Sequence, residues 1–126
     1  MRATFLVVET LIHLVRHDAY MGCHSFSSLH QHIRDYPTST TTSPVPKIGY
    51  LSHAVDVACS LYPKQVLCLQ RSAVLVKMLR KRGVSAHLII GAQKLPFKAH
   101  AWVEVDGMII NDRLASRETF LVMEVC

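Results

Sequence analysis

Apolar positions recur at helical intervals through the first two thirds of the chain and in short runs of strand type through the last third. In residues 3–20, Phe5, Val8, Leu11, Ile12 and Val15 share one side of a helix, while Arg2, Glu9, His13 and Arg16 form a polar stripe on the other. An amphipathic helix is expected there, docked on the core by its apolar side. A shorter helix within residues 21–36 would turn Phe26, Leu29 and Ile33 inward and leave Cys23, His24, His30 and His32 on its solvated side. Residues 37–47, PTSTTTSPVPK, offer only Val45 as a large aliphatic and are broken by Pro37, Pro44 and Pro46, so a loop is expected. Ile48, Leu51, Val55, Ala58 and Tyr62 then keep helical spacing until Pro63 stops the run, which predicts a buried packing helix. Another helix begins between Gln65 and Cys68 and runs to Arg82, with Ser72, Ala73, Val76 and Leu79 as its inner stripe and Gly83 as the left-handed residue that ends it. Strand-type runs follow at 86–91, 99–105 and 108–112, with a weaker one at 120–125.

Helices followed by strands predict an α+β fold: a helical extension and loop over residues 1–47, then a core over residues 48–126. The length of 126 residues suits one domain, and an apolar half with only 18% charged residues excludes global disorder. The net charge of +5 is concentrated at Lys77, Arg80, Lys81 and Arg82. These bases lie in the last turns of a helix, where the dipole favours cations, and no aromatic residues interleave with them as base stacking would require. No nucleic-acid partner is therefore expected. Cys23, Cys59, Cys68 and Cys126 form no CxxC pair, which points to free thiols in a reducing, cytoplasmic setting. The CH doublet at 23–24 and the HxH at 30–32 lack the paired ligand sets of a zinc site, so no metal is expected. Glu9 interrupts the N-terminal apolar run, which is also too short to span a bilayer, so neither a signal peptide nor stable membrane insertion is expected.

The stretch from Cys68 to Asp112 carries the candidate chemistry. Cys68 opens a helix, and the positive end of the dipole together with unpaired amide protons favours thiolate over thiol there. The same amides could stabilise an oxyanion on an acyl carbon attacked by the sulfur. His100 near the start of a strand and Asp112 at the end of the next complete the order of nucleophile, base and orienting acid, which requires no cofactor. Cys59, in the middle of an apolar helix, reads as a small core residue. Trp102 reads as core or as a wall beside His100, where it could contact substrate. Arg71 and Ser72 are expected to stabilise the helix start, and Gln65 or Gln70 could donate to an oxyanion.

The turn at 105–107 decides whether His100 and Asp112 can meet. A two-residue turn at Asp106 and Gly107 sets Val105 opposite Met108 and Ala101 opposite Asp112, which sends the His100 and Asp112 side chains to opposite faces. A three-residue loop with Gly107 in a left-handed bulge sets Glu104 opposite Met108 and His100 opposite Asp112. The bulged register is the expectation.

The segments CLQRSAVLVKMLRKRG at 68–83 and HLIIGAQKLPFKAHAWVEVDGMIIND at 87–112 resemble the transglutaminase-like cysteine peptidases of lasso-peptide biosynthesis, the microcin-processing family. The resemblance covers residues 48–125. It implies a papain/transglutaminase-like α+β fold with the nucleophile helix packed on a small antiparallel sheet. It also implies a leader peptidase that frees the core of a ribosomally made precursor, with Cys68 as nucleophile, His100 as base and later acid, and Asp112 as orienting carboxylate. The implied partners are the precursor leader, a separate leader-recognition protein of winged-helix type, and an ATP-dependent cyclase. Amide transfer by the same triad and a non-catalytic peptide-binding scaffold are the competing readings.

Overall fold

The structure is a computed structural model that describes residues 2–23, 26–38, 48–63, 66, 68–93, 98–105, 108–110 and 121–126. Helices α1 (Arg2–Cys23), α2 (Phe26–Asp35), α3 (Ile48–Leu61) and α4 (Cys68–Lys81) precede strands β1 (Ala86–Gln93), β2 (Lys98–Val105), β3 (Met108–Ile109) and β4 (Leu121–Val125). The strands form one antiparallel sheet in the order β3-β2-β1-β4. The α+β class read from the sequence is the observed one.

The expected inner stripe of α4, Ser72, Ala73, Val76 and Leu79, is fully buried. So are Val74, Leu75 and Met78, because α4 is covered by helices on one side and by the sheet on the other. It ends as the glycine predicts. Gly83 takes φ 85°, its amide donates to Arg80 O, and the Val84 amide donates to Leu79 O, both at 3.0 Å. Leu51, Val55 and Ala58 of α3 are likewise buried at the expected spacing.

Helix α1 is amphipathic, but its inward side is not the expected one. Phe5, Val8, Ile12 and Val15 are exposed, Phe5 by 65%, whereas Leu6, Glu9, Thr10, Leu14 and His17 are buried. The reason lies at the far end of α4, where Lys81 Nζ donates to Glu9 Oε1 at 2.9 Å and Arg82 Nη2 donates to Glu9 Oε2. This pairing buries Glu9 of the polar stripe while Arg16 stays exposed, and Leu6 and Leu14 enter the common core with Leu29, Ile33, Leu51 and Leu75. Tyr62 at the end of α3 donates to the Asp18 carboxylate and fastens the two helices together.

The basic cluster is largely consumed inside the fold. Buried Arg80 donates to the main-chain oxygens of Ile33, Tyr36, Ala86 and Cys126, tying α2, β1 and the end of β4 to α4. Lys77 lies over the Tyr36 ring, 5.9 Å from its centroid.

The β2–β3 register overturns the bulged expectation: Val105 stands opposite Met108 and Glu104 opposite Ile109. The Ile110 amide continues the ladder by donating to Val103 O at 3.0 Å. Burial accounts for this choice. Pairing with Val103 brings Ile110 to the α4 side, against the core, whereas the bulged register would have paired it with Trp102 on the other face. Residues 106, 107 and 112 lie outside the described residues.

Candidate active site

Chain direction brings Cys68 and His100 to one end of the molecule. The short connection 82–85 reverses the chain, so β1 runs back along α4, and the start of α4 overlies the end of β1. Strand β2 begins at that end, with His100 opposite Gly91 and Ala101 opposite Ile90. Cys68 is the first residue of α4 and half-buried, and His100 is the third residue of β2 and also half-buried.

A hydrogen bond joins the two elements beside these residues. Because Val103 O accepts from Ile110, the odd-numbered carbonyls of β2 point toward β3. The Ala101 carbonyl also accepts from Ser72 Oγ at 3.3 Å. Ser72 is one helical turn after Cys68, about 6 Å along the axis, and Ala101 is the residue after His100. On the face of β2 turned away from α4, the His100 and Trp102 rings lie 6.0 Å apart between centroids. Trp102 is wholly buried, and its Nε1 donates to Glu104 Oε2 at 2.8 Å. It forms a wall behind His100.

A helix opening on a thiol, packed on an antiparallel sheet whose second strand carries a histidine at the same end, invites comparison with known families. The sequence profile of the Transglutaminase-like superfamily matches residues 13–125. The chain belongs to this superfamily. It is also similar to the Microcin J25-processing protein McjB of Escherichia coli, at 43% identity over 56 residues. That stretch is 44% of this chain and 27% of the length of McjB. No solved structure matches the chain significantly.

The other candidates of this transglutaminase-like chain fall into distinct places. Asp112 and Gln65 lie outside the described residues, and the argument that direct cross-strand opposition brings Asp112 to His100 fails with the bulged register. Gln70 is buried and donates through Nε2 to Leu14 O at 3.3 Å, so it ties α4 to α1. Cys59 is half-buried, and burial pushes its thiol pKa up, against the opposing pull of the Arg71 guanidinium. Arg71 faces Asp56 of α3 at 3.7 Å. Among the described residues no group of three or more His, Cys, Asp or Glu side chains is arranged to hold a metal ion, and His32 stacks on Tyr20 at 4.9 Å. Among the described residues no helix is long and apolar enough to cross a membrane. Sequence reasoning missed the Glu104 carboxylate beneath Trp102. Its only advance signal was the two-residue spacing, which puts both side chains on one face of a strand.

Proposed function

We propose that this protein is a cysteine peptidase that removes the leader from a ribosomally made lasso-peptide precursor. The observation that carries the reading is the match of residues 13–125 to the Transglutaminase-like superfamily in a chain similar to a microcin-processing protein, with Cys68 at the start of α4 and His100 on β2 assigned on the family motif. The Cys68 sulfur attacks the carbonyl carbon at the leader junction while His100 takes the thiol proton. Backbone amides at the start of α4 stabilise the oxyanion in this reading. The C–N bond breaks as His100 returns the proton to the leaving amine, which becomes the N-terminus of the core peptide. Water then attacks the thioester with His100 as base, the leader leaves as a carboxylate, and the sulfur is freed. Asp112 is assigned as the carboxylate that orients His100, on the family motif. A separate winged-helix type protein delivers the leader, and an ATP-dependent cyclase uses the freed amine in the cytoplasm.

The test is incubation of the purified protein with the precursor encoded beside its gene, with and without the candidate recognition protein, followed by mass analysis. A freed leader carboxylate is expected, and Cys68→Ala should abolish it. Unchanged cleavage by Cys68→Ala would remove Cys68 as nucleophile. The superfamily's name also covers amide transfer, and a new amide on the leader in place of a carboxylate would convert the proposal to that reaction.

A further inference from the structure

We propose that Ser72 is a positioning residue for this site: its hydroxyl holds the start of β2, and with it His100, in register with Cys68. This rests on the Cys68 and His100 assignment above. The Ala101 carbonyl follows His100 directly along β2. Ser72 Oγ takes that carbonyl from a wholly buried position on α4. A serine inside a helix ordinarily turns its hydroxyl to its own helix or to solvent. Here the hydroxyl reaches a strand 29 residues away. Apolar packing of Ala73 and Val76 on the sheet fixes the distance between the layers but tolerates sliding along them. A directional bond one turn from Cys68 and one residue from His100 sets that remaining coordinate.

The test uses a matched pair. Ser72→Thr keeps the hydroxyl and Ser72→Val replaces it with a methyl of similar size, so both add the same bulk to a closed site. Ser72→Ala serves as a third variant that adds none. Two quantities are read: the rate of Cys68 alkylation by iodoacetamide at neutral pH, followed by peptide mapping, and kcat and KM for precursor cleavage. Ser72→Val and Ser72→Ala should slow alkylation and lower kcat about tenfold relative to Ser72→Thr, with KM within about twofold. His100→Ala should slow alkylation in the same direction. Equal alkylation and kcat in Ser72→Thr and Ser72→Val, with His100→Ala slowed, overturns the role of Ser72 and leaves the Cys68 and His100 pair standing. Alkylation of His100→Ala at the wild-type rate overturns both.

Discussion

Glu9 of α1 receives hydrogen bonds from Lys81 and Arg82 at the end of α4, across more than seventy positions of sequence. Burial alone would raise its carboxyl pKa, but the bonds and charges of Arg82 and Lys81 outweigh burial and hold it below its ordinary value. Glu9→Gln should therefore destabilise the fold. Lys81 is mostly exposed and contributes little, while Arg82 is mostly enclosed, so a loss of about 1–3 kcal/mol is expected in urea denaturation. A loss near zero would mean that the inverted orientation of α1 is held by Leu6 and Leu14 alone.

Acid should weaken the protein in two stages. His13 has a pKa lowered from 6.5, first by burial and then by Lys77, Lys81 and Arg16, against an opposing pull from Glu9. The unfolded chain therefore binds its proton first, and stability falls as pH drops below about 6.5. The paired Glu9 carboxylate is favoured above its ordinary value of 4.5, and its contribution is lost as pH falls through its lower folded value. Denaturation midpoints measured from pH 7 to pH 3 should show both losses, and Glu9→Gln should remove the lower one.

Tyr62 gives the opposite sign. Its hydrogen bond to Asp18, with burial and the Asp18 charge adding to it, pushes its pKa up to about 12. The bond is intact below pH 10, and its contribution is lost as pH rises through the folded value. Tyr62→Phe should leave the protein less dependent on pH above 10 when unfolding is followed by circular dichroism.

Arg80→Lys should be among the most damaging single changes away from the site. A lysine cannot span the oxygens of Ile33, Tyr36, Ala86 and Cys126 that the guanidinium bridges, and it would bury an ammonium with fewer acceptors. A loss of about 3 kcal/mol or more is expected by chemical denaturation.

Trp102→Phe should separate packing from the indole bond. It keeps an aromatic wall beside His100 and removes one donor from the buried Glu104 carboxylate, for a cost of about 1–3 kcal/mol. Pairing it with Glu104→Gln in a double-mutant cycle should recover part of that loss as a coupling energy.

The elements of the core were legible because each carries its own period and punctuation. Helix α4 was readable from Ser72, Ala73, Val76, Leu79 and Gly83, and β2 from the strand-type run at 99–105. Cys68 and His100 could be singled out for the same local reason, since the start of a helix and the start of a strand are marked in sequence. Glu104 was hidden, because nothing local distinguishes a strand carboxylate facing water from one facing an indole.

Local sequence sufficed for the existence of α1, because helical periodicity depends only on near neighbours, but the helix runs on to Cys23, which the sequence pattern places in the next one, and which side would face inward was left open. Leu6 and Leu14 lie on one arc, Phe5, Val8, Ile12 and Val15 on another, and both are apolar enough to be buried. The tertiary fold decided between them by setting two cations of α4 against Glu9. The turn after Val105 was decided in the same way. Both registers satisfy the backbone, and only the core under α4 made one of them bury Ile110 beside Val103.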